Sequence, residues 1–256
     1  MDKDVVAPTL FYLFAVPVTY LYFYLIFWVI RDAIGGIVLT IGIVVAFFLV
    51  ADAILGYTSG GWSFGAFGLR REGLVRSFLA TSVLSVVSPL LQLSIANTQG
   101  VATLTSELLG YPRSVNQILM SLPASLLFFL CIGVLAFAFF QAFPYQFLKK
   151  RGRLLALPLV WVLWVVLYGG AHVVMGLFPA TGDVFVLGLF FLIVFAWSGN
   201  SVGPILSYVL FAEEPAWVGL ALLSPAAFVL SLYVKILWSA VALALLVRSY
   251  LRRRRA

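Results

Sequence analysis

The chain has 256 residues, of which 64% are hydrophobic and only 10% charged, and its mean hydropathy is +1.13; a soluble domain carries about 25% charged residues. These figures exclude a water-soluble globule and identify an integral membrane protein. The net charge of +7 sits beside apolar spans and follows topology, so no nucleic-acid partner is expected.

A helix needs about 20 apolar residues to cross the hydrocarbon core. In chain order the apolar runs predict spans over 8–30, 33–56, 77–96, 118–147, 154–178, 184–199 and 217–247, with a shorter one over 201–212. The first has no basic n-region or small-residue cleavage site and reads as a retained helix. Its Tyr and Phe residues, with Trp28 and Trp62, read as interfacial anchors. Twelve apolar residues between Ser198-Gly199-Asn200-Ser201 and Glu213-Glu214-Pro215 suit a tilted or re-entrant helix buried in protein. The fold class expected is therefore all-α, a polytopic transmembrane bundle of seven to eight helices forming one membrane domain over 1–256. Within it, residues 1–117 hold the first three helices, 118–216 a core, and 217–256 the last helix with a basic tail.

Counting the short run as a crossing, with the amino terminus inside, puts Lys3, Arg70, Arg71, Arg76, Lys149, Lys150, Arg151, Arg153, Arg248 and Arg252 to Arg255 on one side, against Arg31 and Arg113 on the other. That positive-inside bias favours eight crossings in the cell membrane with both termini cytoplasmic. The terminal arginine run reads as a stop-transfer and headgroup anchor.

Single Cys131 and single His172 both lie in apolar runs. A disulfide framework, a Cys/His zinc cluster and a bis-histidine haem within the chain are thereby excluded, and no metal or cofactor is expected. Ionisable groups in hydrocarbon are costly and mark a site or a structural pair. Asp52 and Lys235 fall at similar depths, which leaves an intramembrane ion pair and a functional role both open. His172 follows Tyr168-Gly169-Gly170-Ala171, small residues that let another backbone approach. Glu213 and Glu214 read either as solvated residues at a helix end or as a paired acid and base.

The run Leu163-Trp164-Val165-Val166-Leu167-Tyr168-Gly169-Gly170-Ala171-His172, followed by an apolar helix and then Ser198-Gly199-Asn200-Ser201-Val202-Gly203-Pro204-Ile205-Leu206, resembles the CPBP family. These intramembrane glutamic proteases include CAAX prenyl proteases and bacteriocin-processing or self-immunity proteins. The first run is similar to the family's aromatic-x-x-x-His motif, with Tyr168 as the aromatic; the second is similar to the Gly-Ser-x-x-Pro-Ala-Ile opening of its last motif helix. Upstream, Phe140-Gln141-Ala142-Phe143-Pro144-Tyr145-Gln146 stands where the family has Glu-Glu-x-x-x-Arg. In that register the two glutamates become Gln141 and Ala142, the arginine becomes Gln146, and the final His-x-x-x-Asn becomes Val209 and Glu213. The resemblance implies a CPBP-like core in the C-terminal half and, for an enzyme of this kind, an intramembrane endopeptidase. Peptide hydrolysis needs a base to activate water, and glutamine cannot accept that proton. Phe211-Ala212-Glu213-Glu214-Pro215 itself resembles a Glu-Glu-Pro variant of the first motif, which would place relocated carboxylates against His172.

Three function classes remain open: a degenerate protease-fold protein that binds membrane lipid or a prenylated or transmembrane peptide without cutting it, an active endopeptidase using His172, Glu213 and Glu214, and a transporter or complex subunit with a polar path. The first asks only for the cavity of the fold and is the one favoured. Neither the substrate nor the oligomeric state is written in the sequence.

Overall fold

The computed structural model describes residues 3–30, 33–59, 64–100, 123, 126–170, 181–212 and 224–255. Among them are eight helical rods and no strand. Helix α1, Lys3–Tyr24, ends in a wider π-helical turn, Leu25–Val29, and α2 spans Ala33–Ser59. A short 3₁₀ turn, Phe64–Phe67, leads to α3, Leu74–Leu84, which continues after a break as Val87–Gln99. Helix α4 is Leu126–Leu148, α5 Arg153–Gly169, α6 Thr181–Ser198 and α8 Pro225–Arg255. Between the last two, α7 runs through Val202–Ser207 into the π-helical Tyr208–Ala212.

Four stretches, Ile34–Tyr57, Leu74–Thr98, Leu126–Leu148 and Ala226–Leu251, are long and apolar enough to cross a membrane. Their outward faces agree with that composition: Leu230, Tyr233 and Leu237 on α8 and Val38, Val45 and Leu49 on α2 are exposed, an apolar surface that water does not tolerate over such an area. The 201–212 run does form a helix. Its eleven or so residues rise only about 16 Å, and its Gly203, Pro204, Ile205 and Ser207 are buried, as expected of a short helix sheltered by protein.

Helix α4 is the hub. Of its apolar stretch, 61% is buried, against 17% for α2 and 28% for α8, because it packs against α1, α2, α5, α6 and α7. Rings fill the space around it. Phe139 lies with its centroid 4.6 Å from Phe48, 5.1 Å from Phe67 and 5.6 Å from Phe47, while Phe143 lies 4.8 Å from Phe11. Phe11, Tyr12, Tyr22 and Phe23 of the first span are thus core residues rather than interfacial anchors, whereas Trp28 is exposed. Each ring couples a large apolar area to a rigid, offset geometry, so the cluster both stabilises and orients the helices.

A second group, α3 with α7 and α8, meets along small residues. Pro89 has no N–H to give the Ser85 carbonyl, which is why α3 breaks there. Thr81 and Ser85 turn their hydroxyls back to the Ser77 and Thr81 carbonyls at 2.6 and 2.8 Å, and Ser207 of α7 reaches Ser85 at 3.4 Å. From α8, Ser239 donates to the Ser82 carbonyl at 2.8 Å. The closest approach is at Gly203, where an added Cβ would stand 1.9 Å from Ser77 Oγ and 2.4 Å from the Phe78 nitrogen.

Gly203→Ala is therefore expected to cost about 1–3 kcal/mol by forcing α7 off α3, read as a lower thermal midpoint in detergent. Gly36→Ala is the control: nothing lies within 4 Å of its added methyl, and the midpoint stays level or rises slightly. Equal midpoints for the two variants would contradict the packing.

Candidate functional site

The positions singled out by motif register are Gln141, Ala142 and Gln146 on α4, Tyr168 on α5 and Val209 on α7. The structure places them on two packed sides of α4: Tyr168 and Val209 where α4 meets α5 and α7, and Gln141 and Ala142 where α4 meets α5 and α6. Gln141 is 1% exposed, and its Nε2 donates to the Gly188 carbonyl of α6 at 2.8 Å. Ala142 is fully buried against Tyr145, Ala156 and Val160. Tyr168 meets Tyr208 hydroxyl to hydroxyl at 2.8 Å, and both, with Val209, belong to the aromatic core. Gln146 lies nearer the end of α4, where its amide oxygen accepts from the Lys149 ammonium.

Backbone geometry explains why these side chains point as they do. Residues Val134–Ala142 wind as a π-helix, which widens the helix and moves each carbonyl's donor from the fourth residue on to the fifth. For Phe140 the fourth residue on is Pro144, which has no N–H to give. Tyr12 of α1 donates to the Phe140 carbonyl at 3.1 Å, and Trp164 of α5 donates through Nε1 to the Ala136 carbonyl at 3.1 Å. Trp164 fits only because position 188 is glycine: an added Cβ would stand 2.1 Å from the indole. Gly169 and Gly170 admit side chains, not a second backbone. Their added methyls would meet the Phe185 ring and the Tyr20 hydroxyl at 2.2 and 2.1 Å, and Tyr20 itself donates to the Val166 carbonyl at 2.7 Å.

Asn200 is the other fully buried amide of note. Its Nδ2 donates to the Arg70 and Glu72 carbonyls, and its Oδ1 accepts from the Gly203 N–H at 3.1 Å and from Ser77 at 3.2 Å. Ser201 adds a bond to the Phe67 carbonyl at 2.6 Å. Gly68 and Gly199, at φ 67° and 68°, supply the left-handed turns. The Ser-Gly-Asn-Ser segment is thus a joint fastening the α6–α7 turn to the 67–73 loop, with every polar atom of Asn200 engaged. Sequence reasoning took it as a motif opening and a turn; the mutual satisfaction was not readable without the fold.

Asp52 is exposed on α2, which packs against α1 and α4, whereas Lys235 is 4% exposed on the side of α8 that packs on α3, between Ser231 and Ser239. His172, Glu213 and Glu214 lie outside the described residues. Among the described residues no group of three or more His, Cys, Asp and Glu side chains is placed to hold a metal. Comparisons with protein-family models, with curated proteins and with solved structures find no match to the chain.

The chemical consequence is tested by substitution at Gln141. Gln141→Leu removes one hydrogen bond and is expected to cost about 1–2 kcal/mol, whereas Gln141→Glu sets a carboxylate against the Gly188 carbonyl in a packed interior and costs about 3 kcal/mol or more. Unfolding midpoints in detergent read the difference. A glutamate tolerated as well as leucine would mean that the position is hydrated.

Proposed function

We propose that this is a multi-pass membrane protein, a non-catalytic counterpart of the CPBP intramembrane proteases, that binds a membrane lipid or a lipidated or transmembrane peptide without cutting it. In this reading the chain crosses the cell membrane eight times with both termini cytoplasmic, the shorter helices crossing inside the shelter of the longer ones. The observation that carries the reading is Gln141: at the position where the family resemblance calls for the water-activating glutamate stands an amide whose N–H is committed to the Gly188 carbonyl. Around it the neighbouring register positions are closed by packed rings and alkyl groups. Hydrolysis requires a base, a water and oxyanion donors together, and among the described residues the packed register positions supply no base. Binding needs only a surface complementary to the ligand.

The test is cleavage against retention. Purified protein in liposomes should leave prenylated and transmembrane peptides intact above a protein-free blank, and His172→Ala should leave lipid co-purification unchanged. Cleavage that disappears with His172→Ala, and with Glu213→Gln or Glu214→Gln, would replace this reading by an active endopeptidase with relocated carboxylates.

A further inference from the structure

On the outer side of the bundle, α1 and α5 leave between them a groove of about 590 Å³ lined by Leu13, Val16, Pro17, Leu148, Leu159 and Leu163. That size is within the range of small-ligand sites, about 300–1,000 Å³. Thr9 and Tyr12 also border it, and Tyr12 turns its hydroxyl inward to the Phe140 carbonyl, so the wall is apolar but for the Thr9 side chain. One end of the groove is Leu148, the last residue of α4. Directly after it come Lys149, Lys150, Arg151 and Arg153. From Arg153 to Leu163 α5 rises about 15 Å, half of the roughly 30 Å hydrocarbon thickness. The groove therefore has the reach of one leaflet's acyl chain, starting at a basic turn.

That turn gathers cations from two parts of the chain. Arg70, on the loop fastened by Asn200, donates to the Gly65 carbonyl at 3.0 Å and is exposed. The Lys149 ammonium is pushed below the ordinary lysine range, first by partial burial and then by the cations of Arg70, Arg153 and Lys150. The Phe67 ring of the same loop stacks on Phe143 of α4 at 5.2 Å, which brings the segment bearing Arg70 to this end of α4; Lys149 is part-buried and the other cations are exposed, and like charges gathered at a membrane surface favour an anion among them.

We infer that the basic turn and the groove form one binding site for a glycerophospholipid with an anionic headgroup, its phosphate between Lys149, Arg70 and Arg153 and one acyl chain along α1 and α5. Charge complementarity selects the headgroup; the apolar, leaflet-deep wall selects the chain. The inference rests on reading the protein as a membrane-embedded lipid binder and adds the class of lipid and the place.

The experiment is native mass spectrometry of the full chain in mixed micelles containing equal phosphatidylglycerol and phosphatidylcholine of identical acyl chains. Wild type should retain phosphatidylglycerol at least tenfold over phosphatidylcholine, with the preference falling in 0.5 M salt. Each basic residue near an anionic surface is worth about fivefold, so Arg70→Gln with Lys149→Gln and Arg153→Gln should reduce phosphatidylglycerol binding by about a hundredfold. Leu163→Trp, which fills the groove, should lower retention of both lipids; unchanged elution and helical circular dichroism establish that each variant is folded. Equal retention of the two lipids by wild type overturns the headgroup site alone, as does undiminished phosphatidylglycerol binding by the folded triple variant. Retention of neither lipid by wild type overturns lipid binding itself.

Discussion

An oxygen left without a donor in an apolar interior costs several kcal/mol, and that rule governs the centre of this molecule. Helix α4 widens over Val134–Ala142, and Pro144 leaves the Phe140 carbonyl without its usual helical donor. Two aromatic side chains answer, Tyr12 from α1 and Trp164 from α5. Because each is bulky as well as polar, the same contacts set the spacing of three helices. The indole then demands glycine at 188, and the Gly188 carbonyl takes the Gln141 amide. One backbone irregularity thus fixes α1, α5 and α6 around α4, and the phenyl rings pack the remaining volume.

The same rule operates where helices end. Asn200 places its whole amide between the 67–73 loop, the first turn of α3 and the start of α7, and Ser201 adds a fifth contact. This holds the 67–73 loop, and with it Arg70, against the α6–α7 turn. The α3–α8 seam follows a quieter version, with serine and threonine hydroxyls folded back onto carbonyls or reaching across, and with Lys235 on the same buried face.

The rods were legible in the sequence because runs of apolar residues long enough to span hydrocarbon are a strong signal; even the short 201–212 segment forms a helix. Which face each rod buries was much less legible. Apolar residues surround most of these helices, so periodicity does not separate a lipid-facing Leu from a core-facing Phe, and for that reason Phe11, Tyr12, Tyr22 and Phe23 read as interfacial although they are core. Gly169 and Gly170 signalled close packing correctly but not its kind, since a missing Cβ is equally compatible with an approaching backbone, a phenyl ring or a hydroxyl. The π-helical widening has no composition of its own. Gln141 and Tyr168 were legible as positions from the motif register, while their partners, Gly188 and Tyr208, come from sequence-distant helices and emerge only with the fold.

The proposed function depends on the interior around Gln141 and Ala142, where α4 meets α5 and α6, being closed to water, since a bound water beside a carboxylate is what peptide hydrolysis in a membrane demands. Thiol labelling reads this most directly: Ala142→Cys in a Cys131→Ser background, treated with N-ethylmaleimide in the folded protein and again in dodecyl sulfate, with Glu72→Cys on the exposed loop as the reactive control. The account predicts no labelling at 142 until the chain is denatured, alongside rapid labelling at 72. Labelling at 142 in the folded protein at a rate approaching that at 72 would contradict it, by revealing a hydrated chamber where packed side chains stand.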